Sequence, residues 1–264
     1  MFDVNCAVGH WPFRELTRNT PDELKAYLRE YGVTGAALTH NHAACYQNVQ
    51  DANLELARLL ESDGDGFFRG VATLNPLYAL WERDLPYCVE KLGFRALRLL
   101  PRYHNYSLED AAAADIITAA GELGIPVMIP NELVNYRQRF WMEPGYPLGH
   151  ETLTAVARRF PSTQFIFMEL AFPEAPSEPY PSNAFFEMSR FRCCYGRQLD
   201  TFMGCVGADH ILFGSGAPFK EIEPALLKLN HLRCSPEEYR MISEENACRW
   251  FGFGTPCDAT DCGR

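Results

Sequence analysis

Residues 96–131 read ALRLLPRYHNYSLEDAAAADIITAAGELGIPVMIPN, and this stretch contains the repeating unit of the fold. The apolar run ALRLLP predicts a buried strand. The alanine-rich segment after it predicts a helix that Ser107 caps, with Asp110 at the capping-box position, and that ends near Gly124. The next apolar run, PVMIPN, predicts a second strand. Two strands joined through a helix are parallel neighbours in a sheet.

The same alternation of strand and helix extends in both directions along the chain. Six further strand candidates are FDVNCAV (2–8), GVTGAALTH (32–40), FFRGVATLNP (67–76), QFIFMELAF (164–172), NAFFEMS (183–189) and HILFGS (210–215). Almost continuously apolar strands that alternate with helices indicate a parallel sheet covered on its outer side. We therefore predict an α/β fold, a (β/α)8 TIM-type barrel in a single domain. A doubly wound open sheet would place a glycine-rich phosphate turn after its first strand, where this chain has GHWPFR.

Composition excludes several classes of partner and location. The 264 residues carry a net charge of −10, so nucleic acid would be repelled at long range and is not an expected partner. No apolar run is long enough to cross a membrane, and the N-terminus lacks the features of a secretory signal. Ten scattered cysteines without a CxxC pair are typical of reduced thiols. We therefore expect a cytoplasmic protein without membrane association.

The C-terminal end is predicted to differ from the rest of the chain. Residues 1–253 are assigned to the barrel, and residues 254–264 to a flexible polar tail. Whether Cys257 and Cys262 in this tail pair with each other stays open, and free thiols are the favoured interpretation.

Several segments carry a family resemblance, in chain order. FDVNCAVG is similar to an opening strand of the form I-D-x-H-x-H-x-G, GADHILFGSGAPF (207–219) to G-A-D-R-I-L-F-G-S-D-x-P, and EENACRWFGF (244–253) to E-N-A-x-R-L-F-G-L. From Asp3 to Phe253 the chain resembles the amidohydrolase-2 branch of the amidohydrolase superfamily. That branch includes metal-dependent hydrolases and decarboxylases of the aminocarboxymuconate-semialdehyde type. The resemblance implies the barrel fold, and it leaves a homo-oligomer open.

The resemblance also implies where a metal would bind, and those positions are altered. In place of the family's four histidines and one aspartate, this chain has Asn5, Ala7, Pro130, Glu169 and Gly216. Three of the five lack a donor side chain, and an asparagine amide is a poor ligand beside an imidazole. The family's aspartate also accepts the proton of the attacking water, and Gly216 replaces it here. We therefore expect no metal cofactor at these positions.

Polar residues nevertheless follow the predicted strands. They would lie in the mouth of the barrel, at the C-terminal ends of the strands, where the active sites of this fold are found. Glu169 is predicted to lie inside the mouth as a general acid or base, with His10 and His40 as further proton carriers. Because a buried carboxylate needs a partner, we expect Glu169 to pair with Arg98. An ion pair that only fills the space left by the metal is an equal alternative.

A second group of residues is predicted to bind a small-molecule ligand in the barrel mouth. Arg98 and Arg102 are suited to a carboxylate or phosphate group, because guanidinium groups donate paired hydrogen bonds to anions. Asn5, Asn131 and Trp11 are candidates for lining the pocket, although packing under the rim is an equal alternative for Trp11.

His40 and His42 form an H-x-H pair at the end of the second strand. If the strand includes both, the two side chains project from one face and, with Glu169, would hold a divalent metal at a relocated site. If the chain leaves the strand there, the rings diverge and bond to loop backbone.

Three hypotheses about function follow. The first is a hydrolase or lyase that acts without the usual metal on a small carboxylated or cyclic substrate. The second is a non-catalytic ligand-binding barrel, a pseudoenzyme. The third is a metal-dependent hydrolase with relocated ligands.

Overall fold

Eight parallel strands form one sheet in which each strand lies next to its neighbours in the sequence. The computed structural model describes residues 1–171, 178–191 and 197–252. In order, the strands are β1 (Phe2–Val8), β2 (Gly35–His40), β3 (Phe68–Thr73), β4 (Ala96–Arg98), β5 (Val127–Pro130), β6 (Phe165–Met168), β7 (Ala184–Glu187) and β8 (Ile211–Leu212). All eight fall within the segments that the sequence predicts, so the (β/α)8 barrel is confirmed.

The sheet closes through β1 and the residues that follow β8. The backbone nitrogen of Val4 donates to the carbonyl of Phe213 at 3.0 Å, and that of Ala7 donates to the carbonyl of Ala217 at 2.9 Å. The carboxylate of Asp3, fully buried, accepts the backbone nitrogen of Ser215 at 3.0 Å. These bonds continue the barrel beyond the two residues of β8.

Helices cover the outer side of the sheet and alternate with the strands. They are α1 (Pro21–Glu30), α2 (Val49–Leu60), α3 (Trp81–Glu90), α4 (Pro101–His104), α5 (Ala111–Glu122), α6 (His150–Arg159), α7 (Gln198–Val206), α8 (Glu223–His231), α9 (Pro236–Arg240) and α10 (Asn246–Phe251). A short 3-10 turn, Asn41–Ala44, directly follows β2.

One helix begins later than the sequence predicts. Helix α5 starts at Ala111 and has Asp110 at its N-cap, so Ser107 is not the cap. Ser107 instead forms a turn before the helix, where its hydroxyl accepts the backbone nitrogen of Glu109 at 3.2 Å. Serine, asparagine and aspartate side chains satisfy turns and helix starts in the same way, which explains the error.

Alternate residues of each strand face the barrel interior and the helices. In β2, Ala37 packs with Phe2 and Val4 inside the barrel, whereas Leu38 belongs to the apolar layer between the sheet and the helices. Phe251 of α10 stacks on Phe2, with ring centroids 5.2 Å apart, so the last helix contacts the interior at the N-terminal end of β1. This period of two decides which side chains enter the mouth.

Other predictions are tested only in part by the fold. Among the described residues, Cys6, Cys45, Cys88, Cys205 and Cys234 are free thiols. No helix in that part of the chain is long and apolar enough to cross a membrane. The predicted tail, with Cys257 and Cys262, lies outside the described residues.

Asn246 fixes the last helix to the barrel and provides a test of the fold. Its buried side-chain amide donates to the carbonyls of Ala208 and Ile211, both at 2.8 Å. We expect Asn246→Ala to reduce the free energy of unfolding in urea by about 3 kcal/mol, because two buried carbonyls lose their donors. The exposed Asn230 serves as the control, since Asn230→Ala should change stability by less than ~0.5 kcal/mol. Equal effects of the two substitutions would contradict this role of Asn246.

Candidate active site

Two buried glutamates lie side by side at the C-terminal end of the sheet. Glu187 is the last residue of β7 and is fully buried, and Glu169 directly follows β6 and is 5% exposed. The side-chain amide of Asn5, from β1, donates to Glu169 Oε1 at 2.9 Å and to Glu187 Oε2 at 3.2 Å. One amide group therefore bridges the two carboxylates.

Ser189 and Lys220 complete this group, which we call the Glu169–Glu187 cluster. The hydroxyl of Ser189 lies 3.3 Å from Glu169 Oε1 and 3.0 Å from Glu187 Oε2. The ammonium of Lys220 forms an ion pair with Glu169 Oε2 and donates to Ser189 Oγ at 3.0 Å. The Lys220 side chain keeps 23% of its surface exposed, so the cluster opens to solvent through this residue.

The backbone places Glu169 in the mouth by ending the strand early. The sequence predicts that the strand continues through this residue, but β6 ends at Met168 and Glu169 takes a left-handed conformation with φ of 56°. Such a conformation is unfavourable for a residue with a side chain and is found where the surroundings hold it. Here the backbone nitrogen of Glu169 donates to Glu187 Oε2 at 3.2 Å, and Asn131 Nδ2 donates to its carbonyl at 3.4 Å.

A change of register in β1 turns Asn5 toward the same place. The pairing of β1 with β2 shifts between Asp3 and Cys6. Val4 lies inside the barrel, whereas Cys6 lies in the layer between the sheet and the helices. An irregularity of this kind inserts an extra residue and re-aims a side chain, which places Asn5 against the two glutamates.

Burial and mutual repulsion change the protonation of Glu187. Desolvation, and then the negative charge of Glu169, raise the pKa of Glu187 to about 7. The nearby ammonium of Lys220 opposes this shift. Glu187 is therefore a carboxylic acid that can hold a proton near neutral pH, which is the property of an acid–base group.

An adjacent cleft lies beyond the ends of β4 and β5. The space between its walls, part of it open to solvent, is about 350 Å³. Its lining residues are Leu100, Pro101, Arg102, Tyr103, Pro130, Asn131, Glu132, Leu133, Val134, Pro144 and Tyr146. Arg190 connects this cleft to the cluster, because it pairs with Glu132 and its Nε lies 3.7 Å from Glu169 Oε2.

Gly216 has no side chain, and Glu169 and Lys220 occupy the space that one would fill. A Cβ atom at this position would lie 2.9 Å from Glu169 Oε1 and 3.0 Å from Lys220 Cδ. The φ of Gly216 is 79°, which also favours glycine. The position at which the resembling family has an aspartate is therefore closed to a side chain in this arrangement.

The expected pairing of Glu169 with Arg98 is wrong. Arg98 donates to the hydroxyls of Thr73 and Thr39, at 3.0 and 2.8 Å, and to the carbonyl of His40 at 3.0 Å. Arg98 is 2% exposed, and burial lowers the pKa of its guanidinium group. It is thus a buried link between β2, β3 and β4, and the cations beside Glu169 are Lys220 and Arg190.

The predicted relocated metal site, formed by His40, His42 and Glu169, is also wrong in one of its three residues, Glu169. Strand β2 ends at His40, and His42 lies in the 3-10 turn, as the alternative interpretation supposed. The rings nevertheless stay close, with centroids 4.5 Å apart. Donor atoms of His40, His42 and Glu55 all lie within 4.8 Å of one another, so the group that could hold a metal contains Glu55 in place of Glu169.

The remaining candidates are distributed around the cleft and the rim. Arg102 and Asn131 line the cleft. Trp11 lies behind the cleft wall, 4% exposed, with its indole nitrogen donating to Glu143 at 3.1 Å and its ring edge-on to Tyr103. His10 is exposed at the rim and has no hydrogen bond or ion pair among the residues that the structure describes.

Sequence reasoning missed Glu187, Ser189 and Lys220. Glu187 and Ser189 lie in the segment NAFFEMS. Polar residues at the C-terminal ends of barrel strands are expected in the mouth, and this expectation also applies to Glu187. Lys220 offers no such signal, because it follows β8 by several residues and its direction depends on the loop.

The five positions of the family's metal site do not fit a metal ion here. Asn5 and Glu169 are the only donors among them, and the ammonium of Lys220 already contacts the carboxylate of Glu169. A divalent cation beside this ammonium would be repelled by it, and the usual three or four protein ligands are missing.

Similar folds occur in several enzymes whose structures are known. A dihydroxybenzoic acid decarboxylase from Polaromonas, with bound manganese and an inhibitor, gives a TM-score of 0.67 at 19% identity, covering 89% of this chain and 87% of that chain. For 5-carboxyvanillate decarboxylase from Sphingomonas paucimobilis the TM-score is 0.72 at 15% identity, with coverage of 96% and 99%. For 4-oxalomesaconate hydratase from Rhodopseudomonas palustris it is 0.65 at 18% identity, with coverage of 95% of each chain.

These identities are low, and the structural likeness shows the fold. No curated protein sequence matches the chain. The family model described as amidohydrolase matches residues 7–253, which is nearly the whole length. The chain therefore belongs to the amidohydrolase family.

Proposed function

We propose that the protein is an enzyme that acts on a small carboxylated substrate by proton transfer, without the family's usual metal. The observation that carries this proposal is the Glu169–Glu187 cluster, in which a fully buried glutamate with a pKa of about 7 lies one hydroxyl away from a partly exposed lysine. A buried titratable group with a shifted pKa among charged neighbours, at the functional end of a barrel, is typical of acid–base catalysis. Lyase chemistry is the version that we favour, with hydrolysis as the alternative reaction.

Lys220 is the group of the cluster that can meet a substrate. Its ammonium bonds to Glu169 and Ser189 on one side and remains partly exposed on the other. In a decarboxylation, a substrate carbon takes a proton from Lys220, the bond to the carboxyl group breaks, and carbon dioxide leaves while the electron pair of that bond returns to the substrate. Lys220 then regains a proton from Glu187 through the hydroxyl of Ser189. A proton from solvent returns to Glu187 by the reverse path, through Lys220 and Ser189.

Glu169 and Asn5 act as positioning residues in this scheme. Glu169 holds the ammonium of Lys220 in place, and its charge helps to keep the proton on Glu187. Asn5 bridges both carboxylates through one amide group, so their separation is fixed before a substrate arrives. Such preorganisation reduces the rearrangement that a proton transfer would otherwise require.

The cleft supports a small anionic substrate. Arg102 lies in its wall and could bind a carboxylate group of the substrate, whereas Arg190, which borders the cleft and the cluster, is already paired with Glu132. The structural relatives are described as acting on carboxylated compounds, and two of them are decarboxylases.

A non-catalytic binding barrel is the second candidate, and one observation favours it. The charged groups of the cluster are already neutralised by one another: Glu169 by Lys220, and Glu132 by Arg190. With Gly216 in place of the family's aspartate, such a network would also stabilise the mouth of a barrel that catalyses no reaction.

Substitution of Lys220 distinguishes the two candidates. We expect a screen of hydroxybenzoate-type acids, lactones and amides to yield a product with the wild type, and Lys220→Met to reduce kcat by ~100-fold or more because the proton donor is lost. Glu169→Gln should reduce kcat similarly. Lys91→Met, on the exposed end of α3, is the matched control and should leave kcat unchanged.

The same screen can contradict the proposal. Turnover that is unaffected by Lys220→Met and by Glu169→Gln would exclude the acid–base role. A compound that raises the Tm but is never converted would favour the binding barrel.

The proton on Glu187 also has a consequence for stability. Because its pKa is raised from 4.5 to about 7, the native state holds a proton that the unfolded chain has lost between these values. Its contribution to stability is therefore complete below about pH 4.5 and is lost as the pH rises through about 7. Glu187→Gln cannot ionise, so its Tm relative to the wild type should increase by several degrees between pH 5 and pH 8. A difference in Tm that stays constant over this range, measured by circular dichroism in matched buffers, would contradict the raised pKa.

A further inference from the structure

We propose that His40, His42 and Glu55, with Tyr46 beside them, form a structural site for one transition-metal ion of the zinc class. The site lies apart from the Glu169–Glu187 cluster and does not depend on the proposed function.

Three potential ligand atoms converge at this place. Glu55 Oε2 lies 2.8 Å from Nδ1 of His42 and 3.7 Å from Nδ1 of His40. Ligands that are each about 2.0–2.2 Å from a tetrahedral zinc ion are separated by roughly 3.3–3.5 Å, and the two observed distances bracket this range. The ligand atoms of His40, His42 and Glu55 all lie within 4.8 Å of one another, so side-chain adjustments of His42 and Glu55 would be needed to bring all three to bonding distance.

Tyr46 adds a hydroxyl oxygen as a fourth potential ligand of the group. Its hydroxyl lies 2.9 Å from His42 Nδ1 and 2.9 Å from Glu55 Oε1. The hydroxyl orients the imidazole and the carboxylate, or takes the fourth position around an ion itself. Two imidazoles and one carboxylate suit zinc and its neighbours in the periodic table better than calcium or magnesium, which prefer oxygen ligands throughout.

His40 is held in place for this purpose by the fold. A Cβ atom at Gly9 would lie 2.6 Å from Cε1 of the His40 ring, so the ring packs closely on a glycine. The carbonyl of His40 accepts Arg98, which fixes the backbone of the same residue. The backbone nitrogen of His42 donates to His40 Nδ1 at 3.3 Å, so this atom carries a lone pair and not a proton. A metal ion would bind through that lone pair and replace this hydrogen bond.

The direction of His40 makes the site structural rather than catalytic. Thr39 bonds to Arg98, and Ala37 packs inside the barrel, so His40 points to the opposite face of β2. That face meets α2, which carries Glu55. An ion here would tie the 3-10 turn after β2 to α2, on the outer side of the barrel wall from the Glu169–Glu187 cluster.

Access to solvent is sufficient for an ion to enter. The side chains of His42 and Glu55 are 27% and 31% exposed, whereas that of His40 is 5% exposed. One deeply held ligand and two at the surface allow a hydrated ion to exchange its water molecules in steps.

The test uses the full-length protein after treatment with a chelator. We expect addition of Zn²⁺ to give one tightly bound ion per chain by mass spectrometry, and to raise the Tm by roughly 5 °C at a free concentration ~100-fold above the Kd. Glu55→Gln and His42→Ala should each weaken zinc binding by at least ~10-fold and remove most of this rise in Tm.

Control variants separate this site from other zinc-binding groups. The chain has ten cysteines, which could bind zinc independently, so loss of binding must follow the His42 and Glu55 substitutions. His231→Ala removes an exposed histidine elsewhere and should leave binding unchanged. If His42→Ala does not fold, Glu55→Gln alone decides the matter, because an amide of the same shape disturbs the packing least.

The outcomes also separate this proposal from the proposed function. Lys220→Met should bind zinc as the wild type does, and zinc-free Glu55→Gln should retain any turnover that the wild type shows. A wild type that binds no stoichiometric zinc overturns the metal site. Zinc that binds to the Glu55 and His42 variants with wild-type affinity overturns it as well.

Discussion

The mouth of this barrel depends on two neighbouring buried carboxylates. They cannot both be negatively charged unless nearby groups supply positive charge or hydrogen bonds. Glu169 and Glu187 share the bridging amide of Asn5 at the end of the sheet, and both are removed from water. Their repulsion, in a medium of low polarity, costs far more than it would at the surface. Every neighbour of the pair acts to reduce this cost. Lys220 supplies a positive charge, Ser189 donates a hydrogen bond, and Glu187 is the member of the pair that retains a proton near neutral pH.

The same constraint explains the departure from the family's pattern. A divalent metal and four histidines would normally provide the positive charge and the ligands in this place. Here an ammonium group takes over the positive charge, and it needs the space above Gly216, where a side chain would collide with Glu169. Lys220 and Glu169 thus occupy the space that a side chain at position 216 would need.

The sequence predicted the backbone of this arrangement well and its side-chain partners poorly. The apolar strand segments depend on local patterns, and all eight were located because burial on both faces leaves a continuous apolar signal. The partner of Glu169 depends on distances in space. Arg98 was a reasonable choice by charge and strand position, but two threonine hydroxyls satisfy it on the neighbouring strands. Lys220 lies in a loop after β8, and no periodicity shows where a loop lysine will point. Glu55 was missed for the same reason, because its contact with His42 joins a helix to a turn.

The closure of the barrel has a further consequence for how the protein matures. Strand β8 is short, and the chain completes the ring through hydrogen bonds between β1 and residues 213–217. Asn5, in β1, and Lys220, after β8, thus reach Glu169 from the two sides of this seam. During synthesis, Glu169 and Glu187 leave the ribosome before the lysine that neutralises them. A partly folded chain would have to keep these carboxylates in water or protonated. We therefore expect assembly of the site to accompany closure of the barrel, and local opening of the seam to disrupt both.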